Sequence, residues 1–564
     1  MSLAVLLKNR GAEGRSFLSG LILVPLGLLR AVKNGLQTTI ELLTSTPNEA
    51  AAALLVPALD SPHLAVQEGA LQAILKRRSP TGKREVLRRL DRFGDRWRSV
   101  LGEYRGRMTA ALRDALLGSD PQMSANACQA ILWFGEYDLM PALINAAEDS
   151  ASPNAGRAAA TLLELSEQLY QELAAPRDYR NRRDPQLVRQ HVIQSLEHSL
   201  RRYSQHKRSE IVEAVLLLMN RENATLKKIL QHPHDTAYMP VLEILKRSAR
   251  PGVLRLLLSY LDDPQAPTAA LTILAHRTDP KFLKHLTRKV GQEPSAAAAH
   301  NLKRIDHIAW LRSDLELLDA LDDQGQHAAV QIAMASGMKR LEVFDLLAYL
   351  LRAGKAGGRR AAAAALADYH GADANALALD ALEDPDPRVQ AQILGQLRQR
   401  GIPGALPRLI EMVDSPHEVV RAAVRGSLTE LSFERYLNTF EMLNDEVRRS
   451  TGVLVKKIDP QTVPQLEREM SQLSRTRRLR AIEICEAIGA VEALETQLVG
   501  LLSADDHMIR AAAARVLSQC NSAAVGEALS IALQDRSVVV QEVAQESLRQ
   551  IARRNGWAAR DGRL

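Results

Sequence analysis

The sequence predicts an all-α protein, a solenoid superhelix of roughly fifteen antiparallel helical hairpins with about 35–40 residues in each. Three observations point there. A single module recurs hundreds of residues apart: an apolar run, a turn bearing Asp, then a Val-Arg-Ala-Ala-like start to a second apolar run. Thus Leu409 to Val413 leads through Asp414 and Pro416 to Val420, Arg421, Ala422 and Ala423. Much earlier, Leu55 to Leu59 leads through Asp60 and Pro62 to Val66, Gln67 and Ala70. Aromatic residues make up only 4% of the chain, and Ala, Leu, Ile and Val in their place let helices approach closely. Hydrophobic content of 46% and charge of 25% are those of an ordinary folded protein and argue against disorder. A stack of this kind grows in one direction, so 564 residues do not demand several separate cores.

The first element, residues 1–45, reads as an apolar amino-terminal cap or a membrane-associating segment. Ser16 to Leu29 carries no charge and follows Lys8, Arg10 and Arg15. No small-x-small cleavage site follows it, and Arg30 to Lys33 stand there instead. The stretch is shorter than the roughly 20 residues that cross a bilayer, and Leu36, Ile40 and Leu43 continue it at helical spacing. A buried cap on the first repeat is the leading reading; reversible membrane attachment and a cleaved or spanning segment are the alternatives. Residues 46–175 then hold hairpins such as 108–117 with 125–134 and 139–147 with 158–165, together with one strongly basic helix. Residues 176–350 hold degenerate copies behind a basic start, for example 253–261 with 268–274. Residues 351–554 are the most regular: 374–383 with 389–398, 405–413 with 419–431, 497–502 with 509–517, and 524–533 with 538–551. Pro387 and Pro416 fall in or just before a first helical turn, where a missing N–H is harmless. A short basic tail, 555–564, ends the chain.

The recurring residues give the chain its resemblance to the HEAT-repeat family, particularly to bacterial HEAT-like repeats related to phycobilisome lyases. The residues that carry it are Asp414, Val420, Arg421, Ala422 and Ala423, and again Asp505, Ile509, Arg510, Ala511 and Ala512. Val66 and Val389 hold the same place in other copies, and coverage runs from about Pro47 to Arg554. The resemblance implies that the Asp caps the second helix and that the Arg reaches a neighbouring repeat, forming a ladder. Gln67, Gln390 and Gln541 stand where that Arg belongs and interrupt the ladder, whereas Asp60, Asp386 and Asp535 retain the capping residue. Such a fold offers surface and by itself names no chemistry.

Charge is unevenly placed. Lys76 to Arg107 carries twelve Lys or Arg against four Asp or Glu, net +8; Arg177 to Arg208 carries nine against three, net +6. The whole chain is +7, so the remainder is net −7. On a helical projection of Lys83–Tyr104, Val86, Leu90, Phe93, Trp97 and Leu101 share one side. Arg84, Arg88, Arg92 and Arg96 step by four along the other. With Arg180, Arg182 and Arg183, they are the candidate contacts for an anionic partner: an acidic protein, an anionic lipid surface or a nucleic acid. A solvated helix with local pairs such as Glu85–Arg89 explains the same pattern. The lack of interleaved aromatics argues against a platform for stacked bases.

No catalytic, cofactor-binding or metal residue is assigned. Cys128, Cys485 and Cys520 lie among apolar helical residues and read as small core hydrophobes in a reducing compartment. A HEAT-like di-iron hydroxylase would repeat His-Glu pairs, and only His417-Glu418 is present; His232 and His234 read as an interhelical turn. Gly82-Lys83 lacks the upstream glycine of a phosphate-binding loop. Gly354 to Arg360 could hold an anion at a helix start or form a flexible hairpin loop. A HEAT-like lyase or DNA glycosylase is the enzyme alternative, although Trp97, Trp133 and Trp310 are scattered and Trp133 sits in an apolar helix. The sequence therefore predicts a non-catalytic scaffold or adaptor for an unidentified protein partner, without cofactor or small-molecule substrate. It places the chain in a bacterial cytoplasm, with peripheral attachment at the inner membrane as an alternative.

Overall fold

The computed structural model describes residues 26–77, 79–176, 184–311 and 316–555. Every regular element among them is helical, mostly short α-helices joined by tight turns, and no strand occurs among the described residues. The local reason is repeated capping. Asp120, Asp184, Asp279 and Asp386 each precede a proline at the first helical position. Each carboxylate accepts a backbone N–H two or three residues on, such as Gln122 N at 2.9 Å and Phe282 N at 3.0 Å. Proline has no N–H to leave unsatisfied there, and the carboxylate suits the positive end of the helix dipole.

The chain forms two compact units, Met1–Trp310 with Ala335–Met338, and Leu311–Met334 with Lys339–Leu564. In the first, Ala155–Ala174 packs on Met140–Glu148 and on Ser209–Leu218, and Trp97, Tyr260, Phe282 and Trp310 are fully buried. Trp133 is only half-buried; it fills the space beside Gly94, where an added Cβ would stand 2.5 Å from its ring, and Arg98 lies over it at 5.6 Å. In the second unit the second helices of successive hairpins stack: Pro387–Leu397 on Glu418–Ser427, and farther along Asp445–Ile458 on Arg475–Ala487, then His507–Leu517 and Val538–Arg554 in turn. One apolar cluster runs from Phe433 to Ile551 through Leu466, Ile484, Leu498, Val516 and Leu529. Each hairpin thus completes its core only against its neighbours.

The helix Leu26–Ser45 packs on Leu64–Arg77, with Ile40 seated against Gly69. Most of the charge-free stretch, residues 16–25, lies outside the described residues. No helix among the described residues is long and apolar enough to cross a membrane.

Candidate interaction surfaces

The basic segment Lys83–Tyr104 is two helices, Pro80–Arg88 and Leu90–Glu103, broken at Arg89 where φ is −97° and ψ is 4°. Val86, Leu90, Trp97 and Leu101 are nonetheless all buried and Phe93 is half-buried. Arg89 sits at the break. Its guanidinium donates to both oxygens of Asp60 (2.9 and 3.0 Å) and to Glu85 (2.6 Å), so it turns back toward the preceding hairpin. Arg84, Arg88, Arg92 and Arg96 are exposed. Arg88 pairs with Glu85 at 2.7 Å, whereas Arg84, Arg92 and Arg96 have no acidic partner among the described residues.

Three of the five described cations in the second basic stretch are consumed by the fold. Arg189 donates to the Leu218 carbonyl (2.7 Å), Arg202 to Glu148 (2.6 Å) and Arg208 to the Ala147 carbonyl (3.2 Å). Arg180, Arg182 and Arg183 lie outside the described residues.

The repeat-defining residues divide into several jobs. Val66, Val389, Val420 and Ile509 are core residues. Asp386 caps its helix through Arg388 N (3.0 Å) and accepts Arg360 Nε (2.5 Å). Burial pushes its carboxyl up, but the Arg360 hydrogen bond, with the backbone N–H, outweighs this and leaves it below the usual carboxylate range. Asp535 accepts Ser537 N (2.8 Å) and a two-pronged contact from Arg510, which holds its carboxyl low and the guanidinium high. The helix cap expected of Asp60, Asp414 and Asp535 is not made: Asp60 takes Arg89, Asp414 takes Lys457, and Asp535 holds Ser537 N, just ahead of the helix Val538–Arg554. In the copy before the last, Asp506, not Asp505, caps the helix, through Met508 N at 2.7 Å; Asp505 contributes its carbonyl to Arg510.

The Arg-to-Gln replacements have a physical reason. Arg510 and Arg421 each donate back to a carbonyl of their own interhelical turn, Ala504 O at 2.8 Å and Ser415 O at 2.7 Å. Gln67, Gln390 and Gln541 do the same, to Leu59 O, Asp384 O and Asp535 O at 2.9, 2.9 and 2.6 Å. A glutamine amide can clamp the turn; only arginine can also reach the next hairpin's carboxylate. Arg421 uses its second prong on Glu418 in its own helix instead.

A second set of arginines was not recognised from sequence. Arg77, Arg277 and Arg400 reach back 29–34 residues to carbonyls at or just after preceding helix ends: Leu43 and Thr46, Leu245 and Ser248, Leu366 and Tyr369. Arg554 does likewise to Ser518 and Gln519. Each satisfies orphan carbonyls at the negative end of a helix. Their signal is an arginine at or soon after the last apolar turn of a helix.

Gly354–Gly358 is neither a flexible loop nor a vacant anion site. Lys355 N donates to Gln326 Oε1 (2.6 Å) and Gly357 N to Asp323 Oδ1 (3.1 Å), so the chain's own side chains occupy the helix start. A Cβ on Gly357 would stand 2.2 Å from the Asp323 carbonyl oxygen, which is why glycine is required. All three cysteines are free and buried. Burial pushes the Cys485 thiol up to about 12 and the Cys520 thiol up to about 11. No cluster of three potential metal ligands exists among the described residues.

The first unit also contains an open groove of about 930 Å³ between the helices Tyr238–Arg247 and Pro280–Val290. Its wall presents Lys281, Lys284, His285 and Arg288, spaced three, four and seven residues from the first. The opposite side of that helix buries Phe282, Leu283, Leu286 and Val290. This amphipathic pattern is legible in the sequence, but its cations are spaced three and four residues apart and are fewer than in the two long basic runs.

Residues 343–429 match the family model described as HEAT repeats. No curated protein matches the chain. Among solved structures, one from work on a phosphorylation switch controlling the interaction between cadherin and beta-catenin is 15% identical. The match covers 90% of this chain and 99% of that one, with a TM-score of 0.32. The karyopherin Kap121p bound to the SUMO protease Ulp1p is 14% identical over 93% of this chain and 53% of its own, with a TM-score of 0.24. This chain therefore spans about half the length of that karyopherin. An engineered protein is 15% identical over 89% and 98% of the two chains, with a TM-score of 0.16. Residues 343–429 are thus HEAT repeats by this match, and helical hairpins of the same kind recur on both sides of them.

Proposed function

We propose that the protein is a non-catalytic scaffold or adaptor that docks a protein partner, with the exposed arginine row of 84–96 as one docking surface. The supporting observation is the contrast within one stretch. Arg77 and Arg89 are spent on neighbouring hairpins, while Arg84, Arg92 and Arg96 stand in solvent without carboxylate partners among the described residues. Folding does not need that charge, so its cost in self-repulsion is left for recognition.

The quadruple variant Arg84→Glu, Arg88→Glu, Arg92→Glu and Arg96→Glu tests this. The helical spectrum and melting temperature should stay close to wild type, and binding of the native partner should fall at least tenfold. Loss of binding to duplex DNA or to vesicles of anionic lipid, with a steep salt dependence and no protein partner, would favour the nucleic-acid or lipid reading instead. Unchanged binding to all three would remove the arginine row from the function.

A further inference from the structure

We infer that the groove between Tyr238–Arg247 and Pro280–Val290 is a second docking site, and that its occupant is an extended acidic segment of a protein partner. This rests on the scaffold reading and names the chemistry of what one surface of the scaffold takes.

Charge complementarity carries the assignment. Lys281, Lys284 and Arg288 are exposed and have no acidic partner among the described residues, and Arg247 faces them across the groove with its charge shared only with exposed Glu243. The two carboxylates on the groove's lining, Glu167 and Glu213, are already engaged. Arg250 pairs with both, and Ser248 Oγ donates to Glu213 at 2.6 Å. The lining therefore keeps unneutralised positive charge on its walls while its negative groups are held by internal partners.

The spacing of the cations accommodates an extended chain. At about 1.5 Å of rise per residue, Lys284 and Arg288 stand about 6 Å apart along their helix. Alternate residues of an extended peptide lie about 6.6 Å apart on one face. Carboxylates at positions i and i+2 of such a segment would meet the two cations in register. An adjacent basic residue, Lys281, allows one further contact. Nucleic acid fits less well. The lining offers no Phe, Tyr or Trp on which a base could stack.

The test uses the full chain and a fluorescein-labelled ten-residue peptide of alternating Glu and Ser, followed by fluorescence anisotropy at 150 mM salt. Its Gln-Ser counterpart and a ten-nucleotide single-stranded DNA are the comparison probes. Lys284→Glu with Arg288→Glu should weaken the acidic peptide at least tenfold, whereas Arg92→Glu with Arg96→Glu should change it less than twofold. Both pairs are exposed, and melting curves check that both variants fold. Equal weakening by the two pairs, no binding by the wild type, or DNA binding as tight as the peptide would overturn the assignment. Capture of a purified native partner separates the two proposals: a partner still bound by the groove variant sinks the groove and leaves the scaffold standing. A wild-type chain that binds no protein partner sinks the scaffold.

Discussion

Arg510 and Asp535, 25 residues apart, meet edge to edge: Nε and Nη2 each stand 2.8 Å from a different carboxylate oxygen. The side chains are 4% and 12% exposed, so the pair is largely shielded from water. The same guanidinium also holds Ala504 O and Asp505 O at 2.8 Å. One residue therefore closes its own hairpin turn and ties it to the next.

Replacing Arg510 by Gln should separate those two jobs. The amide retains the turn clamp that Gln390 and Gln541 make, and the carboxylate of Asp535 loses its charged partner. We expect a loss of about 2 kcal/mol, the scale of a charge-assisted hydrogen bond to a shielded group. Urea unfolding of Arg510→Gln against wild type measures it, and Arg510→Met, which abolishes both jobs, should lose more.

The same pair sets an acid sensitivity. Arg510 holds the Asp535 carboxyl below its ordinary range. The resulting stability is fully present above the ordinary carboxylate pKa of about 3.9 and disappears as pH falls through the lower folded-state value. The deficit of Arg510→Gln relative to wild type should thus be complete at pH 7 and shrink on acidification toward pH 3. Urea midpoints at pH 7, 5 and 3 check the sign; a deficit that grows in acid would be the wrong one.

Two glycines in the second unit should respond oppositely to alanine. Gly357→Ala forces a Cβ to within 2.2 Å of the Asp323 carbonyl oxygen and should cost about 1–3 kcal/mol. Gly395 is exposed inside the helix Pro387–Leu397 and has nothing within 4 Å of the added carbon. Gly395→Ala should stabilise by about 0.5–1 kcal/mol through helix propensity. Thermal melts of the two variants decide.

Thiol chemistry offers a fourth check. With Cys128, Cys485 and Cys520 buried, and burial holding the Cys485 and Cys520 thiols up at about 12 and 11, the native chain should resist a disulfide-exchange reagent at pH 8. Labelling should appear only as the chain unfolds in urea. Fast modification of a cysteine in the native state would show that its surroundings open.

The helical hairpins were legible because apolar periodicity, the Asp-Pro starts and the recurrent valines are local signals, and Val389, Val420 and Ile509 duly lie in the core. Which aspartate caps and which receives a neighbour's arginine was not legible. Asp60, Asp386, Asp414 and Asp535 look alike in sequence, and their partners stand 25–43 residues away. Arg89 illustrates the limit well. Helical periodicity assigns it to a continuous helix, yet its reach to Asp60 coincides with the point where the helix breaks. The Pro280–Val290 groove needed the fold as well, since Glu167, Arg247 and Lys284 come from distant parts of the chain.

Purification of the full-length chain from its native cells under nuclease treatment, followed by size-exclusion chromatography with light scattering at 150 mM salt, addresses the scaffold claim most directly. The account predicts co-elution with a distinct protein at fixed stoichiometry, lost when Arg84, Arg88, Arg92 and Arg96 are reversed to Glu. A chain that elutes alone once nucleic acid is digested would contradict it.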